Sequence, residues 1–306
     1  MSSTVPDEFD TLLDKVPALQ GRPRDVVALV GGLTNTNLKV TTPDGRFVAR
    51  ISSKDSDLLA IDRDAEYANS RAAAQAGIAP EVIDYLPEDH VMVVRFVDGR
   101  TYDATDLQDS ANIPRAAAAV RQLHEGPRFV NEFNMFRIQA GYLQICQQRG
   151  FRVPDRYTSL MPQVARLQTA LAVRDAGTVP CNNDLLAANF IDAGDRMWLI
   201  DYEYSGNNDA CFELGNIWSE SNLSLDQLDE LVTAYYGIHL HHKVARARLL
   251  GLMSKYGWTL WASIQASTST LEFDFWEWGM EKYDRALAEF DGPSFDALLD
   301  EATRAD

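Results

Sequence analysis

In the stretch CNNDLLAANF, residues 181–190, an aspartate follows two asparagines and a third asparagine stands five positions beyond it. Further on, the apolar run MWLI ends in Asp201 at the head of DYEYSG. A carboxylate on a loop, an amide at the loop's end and a second carboxylate after the next strand can converge on one point. Oxygen ligands from Asn189 and Asp201 suit Mg²⁺, which keeps several waters and shares phosphate oxygens. Asp184 is then free to accept a hydrogen bond from a substrate hydroxyl and to aim it in line with a phosphorus atom. Taken singly, an Asp-x4-Asn reads as a turn, with Asn182, Asn183 and Asp184 as turn formers and Asp201 as a strand-end cap. The hairpin between the two halves and the DYE that closes it shift the balance toward chemistry.

A phosphate-binding half lies earlier in the chain. GGLTNTN sits between two predicted strands, so its small glycines and backbone amides can approach a nucleotide's phosphates, with Gly32, Thr34, Asn35 and Asn37 as candidates. Alone it reads as a hairpin turn. Arg50, in FVARI, and Glu66, in the helix that follows, give it weight. A strand cation paired with a helix acid can hold the α and β phosphates, although the same pair can be an ordinary salt bridge.

These residues need elements to position them. Alternating patterns predict strands over 26–30, 37–41 and 46–51, with turns at Gly31-Gly32 and Pro43-Asp44-Gly45. An alanine-rich helix over 61–77 follows, with Gly77 as its C-cap. VIDYLPEDHVMVVRFVDGRTY then gives two more strands about Pro87-Glu88-Asp89, and an exit through Asp98-Gly99. From about residue 106 the pattern is mostly helical, over 113–123, 131–149, 157–174, 225–235, 244–266 and 272–290. The exception is a hairpin of 189–191 and 197–200 about Gly194-Asp195.

Composition bounds the rest. The 306 residues, 46% apolar and 24% charged, can bury a substantial core in one large or two modest domains. No apolar run approaches the roughly 18 residues of a membrane span, and MSSTVPDEFDTLLDK is too acidic for a signal peptide. A soluble, cytoplasmic protein without a membrane anchor is expected. Three widely spaced cysteines with no CxxC suggest neither a disulfide framework nor a zinc site. With 45 acidic against 28 basic residues and a net charge of −17, the surface argues against nucleic acid and anionic membranes and is compatible with a cationic small-molecule partner. His239, His241 and His242 read as a solvated helix start, and His124 as a cation at a helix end that suits the dipole.

The C-terminal region KYGWTLWASIQASTSTLEFDFWEWGMEKYDRAL is rich in aromatics. Trp258 and Trp261 share a helix face, as do Phe275 and Trp278. A quaternary ammonium has no N–H to donate and prefers the faces of several rings, best of all indoles. Core packing is the commoner fate of such rings.

GGLTNTN, FVARI, DRDAEYANSRAAAQAGIAPEV, NNDLLAANF and LIDYEYSGNNDACFELGN together resemble the choline/ethanolamine kinase family, within the aminoglycoside-phosphotransferase-like, protein-kinase-like superfamily. The resemblance implies an α+β, two-lobed protein-kinase-like fold: a small antiparallel β-rich nucleotide-binding lobe over 1–98 and a larger, mainly helical lobe over 99–306. It implies ATP in the cleft, with adenine against a hinge at 95–98 that includes Phe96. Asp184 becomes the catalytic base, Asn189 and Asp201 the Mg²⁺ ligands, and Glu203 a neighbour of the metal. WTLWASIQASTSTLEFDFWEW resembles the segment that forms the family's choline cage, which carries over Trp258, Trp261 and Trp278, with Tyr204 and Glu220 as a ring and a carboxylate near the trimethylammonium. Trp276 is out of phase and is expected to pack elsewhere.

One departure stands out. The family's loop begins with histidine two residues before the catalytic aspartate, whereas this chain has Asn182, whose amide can both donate and accept. The implied activity is transfer of the γ-phosphate of ATP to the hydroxyl of choline. Ethanolamine, another amino alcohol or an aminoglycoside stays open as acceptor, as does a degenerate protein that binds a quaternary ammonium without catalysis. A cage richer in tryptophan than in carboxylates favours choline over ethanolamine, whose primary ammonium wants three acceptors.

Overall fold

The computed structural model describes residues 7–29, 32, 35–52, 58–174 and 176–305. The first lobe contains α1 (Asp7–Leu13), β1 (Asp25–Leu29), β2 (Asn35–Thr42), β3 (Gly45–Ser52), α2 (Arg63–Gln75), β4 (Val82–Leu86) and β5 (Val91–Arg95). Its strands form one antiparallel sheet in the order β1-β2-β3-β5-β4. Alternation along each strand separates the two faces of that sheet. Leu38, Val40, Phe47, Ala49, Val91 and Val93 are buried together with Leu13, Val16 and Leu19. The intervening residues Asn37, Val48, Arg50, Met92 and Val94 turn the other way and line a cleft. The register sets Arg50 between Asn37 on β2 and Met92 on β5.

Helix α2 starts where Asp62 accepts the N–H of Ala65 at 3.0 Å. That cap fixes the turn carrying Arg63 and Glu66. After β5 the chain crosses to the second lobe through Phe96 to Gly99. A Cβ at Gly99 would lie 2.6 Å from Ile191 Cγ2 and 2.7 Å from the Asp192 carbonyl oxygen, so only glycine lets the crossing lie against the strand beneath it.

The second lobe runs β6 (Arg100–Thr101), α3 (Ala104–Gln108), α4 (Ile113–His124), α5 (Met135–Arg149), α6 (Met161–Val173), β7 (Val179–Cys181), β8 (Phe190–Asp192), β9 (Met197–Leu199), β10 (Gly206–Asn208), α7 (Ala210–Glu220), α8 (Leu225–Tyr236), α9 (His241–Thr268), α10 (Phe275–Phe290) and α11 (Phe295–Thr303). Two small antiparallel sheets, β6-β8-β9 and β10-β7, bracket the 182–189 loop. Helix α9 is buried almost all round from Ala245 to Gln265, the mark of a central helix, and α5, α7, α10 and α11 pack on it.

The predicted hairpin and the long helices are present. Helices α1, α3, α7 and α11 were not expected, and α7 matters most because it carries Glu213 and Glu220. Among the described residues no helix is long and apolar enough to cross a membrane. Cys146, Cys181 and Cys211 are free and buried.

Candidate active site

Between the lobes lies a cleft of about 460 Å³. Of the candidate residues, Gly32, Asn37, Arg50, Phe96, Asp184, Asn189, Asp201, Tyr204, Glu220, Trp258, Trp261 and Trp278 all line it. Thr34 lies outside the described residues. Asn35 and Glu66 are not part of that lining but are tied to it, Asn35 by a hydrogen bond to Glu203 and Glu66 by an ion pair with Arg50.

The loop after β7 is held by side chains that serve the backbone. Asn182 is fully buried. Its Nδ2 donates to the carbonyls of Ile200 at 3.1 Å and Asp201 at 2.7 Å, while its Oδ1 accepts the N–H of Asp184 at 3.1 Å. One amide therefore ties the segments carrying both acids, using both of its capacities as expected. Asn183, at φ +68°, donates to the carbonyls of Tyr204 and Gly206 at 3.1 Å each and accepts from Asn208 at 2.9 Å.

Beneath the loop, Glu213 of α7 accepts the backbone N–H groups of Asn182 at 2.9 Å and Asn183 at 3.2 Å. It also contacts His124 Nε2 at 3.1 Å. His124 ends its helix, as expected from the sequence, but it is buried, and its Nδ1 meets the Tyr235 hydroxyl at 2.8 Å. Donor atoms of His124, Cys181 and Glu213 lie within 4.8 Å of one another. The Glu213 oxygens are already engaged by amides, and burial followed by the charge of Glu213 pushes the Cys181 thiol well above its ordinary range, which disfavours the thiolate a metal needs. The trio braces the loop.

Asp184, half-buried, presents its carboxylate to the cleft with no hydrogen bond from the described residues. Burial and the charges of Asp201, Glu220 and Glu203 push it well above the ordinary carboxylate range. Asn189 Nδ2 donates to the Asp184 carbonyl at 2.7 Å, which leaves Oδ1 as the free end of that amide. Asp201 sits at φ +63°, an uncommon conformation for a non-glycine residue. Its Oδ1 meets Arg50 Nη2 at 2.7 Å. An amide oxygen and a carboxylate in one cleft are the hard donors that Mg²⁺ takes, so the donor set fits that ion.

Arg50 also pairs with Glu66 at 3.1 Å, the strand-to-helix pair expected from the sequence. A residue the sequence reading missed completes the network: Arg63 Nη1 reaches Glu66 at 2.7 Å and Glu203 at 3.1 Å. Glu203 further accepts from Asn35 Nδ2 at 3.0 Å, and burial, then Asp201 and Glu66, push its carboxyl up to about 7. The Arg63-x-x-Glu66 spacing on a capped helix was the available signal. Apolar residues from both lobes, among them Leu29, Val48, Ala79, Met92 and Ile200, line part of the cleft, and an apolar lining suits a planar ring.

At the other end four rings meet. The Tyr204 and Trp258 centroids are 4.9 Å apart, and those of Trp261 and Trp278 are 5.5 Å apart. Trp261 Nε1 donates to the Tyr204 hydroxyl at 2.7 Å, which locks two walls together. Trp276 points elsewhere, under the Arg152 guanidinium at 3.7 Å. The five-residue set of Tyr204, Glu220, Trp258, Trp261 and Trp278 thus shares one cavity with Asp184.

Residues 26–239 match the family model for choline/ethanolamine kinase. A solved choline/ethanolamine kinase family protein from Mesorhizobium loti is 30% identical, superposes with a TM-score of 0.85, and the match covers 97% of this chain and 98% of that one. Choline kinase LicA from Streptococcus pneumoniae shares the fold at a TM-score of 0.76 and 22% identity, over 93% of this chain and 96% of that one. Ethanolamine kinase 1 of Mus musculus is 26% identical over 86% of this chain and 84% of its own length. The chain belongs to the choline/ethanolamine kinase family, and its fold is the two-lobed kinase-like one.

Proposed function

We propose that this family member transfers the γ-phosphate of ATP to the hydroxyl of choline, giving phosphocholine and ADP. The observation that carries the choice of acceptor is the cage of Tyr204, Trp258, Trp261 and Trp278 in the same cavity as the Asp184 carboxylate. Ring faces attract a trimethylammonium without needing a hydrogen bond from it.

In this reading residues 1–98 bind the nucleotide and 99–306 bring the catalytic loop and the acceptor site. Adenine lies on the apolar surface beside the hinge at Phe96, and Gly32, Asn35 and Asn37 approach the phosphates. Arg50, held by Glu66, neutralises phosphate charge. Asn189 and Asp201 would hold Mg²⁺, which neutralises and aligns phosphate oxygens when bound. Asp184 accepts the proton of the choline hydroxyl and aims that oxygen at the γ-phosphorus. The rest of the rate comes from positioning by the cage and the braced loop.

Ethanolamine is the second reading, favoured by Glu220 at the cage, a carboxylate that a primary ammonium can use. The deciding experiment is ADP release by purified protein with Mg-ATP against choline, ethanolamine and an aminoglycoside. The highest kcat/KM with choline is expected. A higher value for either of the others would overturn the choice of acceptor, and turnover of none alongside choline binding would make the chain a binding protein.

A further inference from the structure

One ring of the aromatic cage already has an ammonium group of the chain against it. Lys282 follows Trp278 by four positions on α10, and its Nζ stands 4.1 Å from the centre of the Trp278 ring. The same Nζ donates to Glu220 Oε2 at 2.6 Å. Both side chains are buried, at 9% and 7% exposure. Glu220 Oε1, also buried, takes no hydrogen bond, and Glu220 and Trp278 both line the cleft. One of the cage's rings and one oxygen of its carboxylate are therefore engaged by the chain's own cation.

We infer that Lys282 determines specificity, turning the acceptor site toward quaternary and away from primary ammonium groups; the inference rests on the acceptor reading above. A primary ammonium carries three N–H donors and loses water that must be replaced by acceptors. Glu220 can offer it only the oxygen that Lys282 does not hold, with its charge half-neutralised. A trimethylammonium asks for no acceptor, and its methyl groups rest on the faces of Trp258, Trp261 and Tyr204. The fixed charge of Lys282 repels either cation to a similar extent at similar distance. Discrimination comes from hydrogen-bonding capacity, and Lys282 takes that capacity away.

The test is kcat/KM for choline and for ethanolamine in the wild type, Lys282→Met and Lys282→Arg. Methionine keeps the volume and frees Glu220, so ethanolamine gains a charge-assisted hydrogen bond, and the choline-to-ethanolamine ratio falls roughly tenfold or more. The change enters through the KM for ethanolamine, with the KM for ATP unmoved. Arginine keeps the cation and restores the ratio. A ratio unchanged in Lys282→Met, or an equal loss of kcat for both amines, overturns the inference. If Lys282→Met does not fold, Lys282→Leu, which also has no donor for Glu220, takes its place under the same criteria. If the wild type turns over neither amine, the acceptor reading falls by itself. Titration calorimetry with tetramethylammonium against methylammonium then reads the Lys282 effect independently: loss of the preference in the variant supports it, and an unchanged preference sinks it.

Discussion

At the scale of single residues, the loop is organised so that Asn182 and Asn183 spend their amides on backbone groups while Asp184 spends nothing. A carboxylate withdrawn from water, and left bare among Asp201, Glu220 and Glu203, is costly to ionise, which is why it lies above its ordinary range. Asp184→Ala is expected to lower turnover by about 10²–10⁴-fold while leaving nucleotide affinity within a small factor, checked by single-turnover kinetics and nucleotide titration. The pH dependence has a definite sign. Below its raised value Asp184 is protonated and accepts no proton, so activity falls as the pH falls through that value. The acidic limb of kcat/KM reports the free enzyme. Bound cations stabilise the carboxylate and bring the limb of kcat to lower pH. Two limbs that coincide near the ordinary value of about 4 would refute this account of Asp184. Much of this was legible in the sequence, since the Asn-Asn-Asp order, the later asparagine and the DYE are contiguous signals. Arg63, Glu213 and Lys282 were not, because each acts across the fold on residues far away in the chain.

Elements were legible where alternation, turn residues or sheer length marked them. The strands β2 and β3 alternate, and β1 to β5 emerged from pattern and turns. Helix α7 did not, because Cys211 to Ser219 are buried on every side and Gly215 interrupts the run, so no period shows. The glycine has a reason. A Cβ there would overlap the Ala247 carbonyl oxygen and lie 2.6 Å from the backbone nitrogen of Gly251, so the α7–α9 crossing depends on two facing glycines. Gly215→Ala should cost about 3 kcal/mol or more, because backbone cannot yield as a side chain can. Gly141→Ala on α5, where nothing lies within 4 Å of the new Cβ, should instead be neutral or stabilise by up to about 1 kcal/mol. Urea unfolding of the two variants decides it. A Gly215→Ala protein as stable as the wild type would show that the crossing tolerates separation, and activity would then report whether Glu213 still reaches the loop.

For the whole molecule, the smaller hydrophobic cluster lies within the first lobe, while the larger fills the second, takes in Leu59, Ala73, Ile78 and Ala79 of the first, and is organised about α9. A lysine sits in that axis. Lys255 is 2% exposed, its Nζ lies 3.6 Å from the centre of the Trp218 ring and 3.6 Å from Glu289, and burial lowers it from its ordinary 10.5 to about 8 despite Glu289. Sequence pattern could not show this, because a lysine in a helix reads as surface unless every neighbour is known. Its consequence is global. Between about 8 and 10.5 the unfolded chain holds the proton and the folded chain releases it, so stability from this group rises with pH across that window. Below 8 both states hold the proton, and the charge carries its full desolvation cost. At about 1.4 kcal/mol per unit, the whole effect is on the order of 3 kcal/mol, reduced to the extent that Trp218 favours the cation. Lys255→Met removes the titration and keeps the length of the side chain. Thermal unfolding of both proteins from pH 7 to 10.5 should therefore show the wild type gaining on the variant as the pH rises, whatever the other groups contribute, since those are common to both. Parallel curves would mean that Lys255 stays charged in the core, held by Glu289 and the indole face.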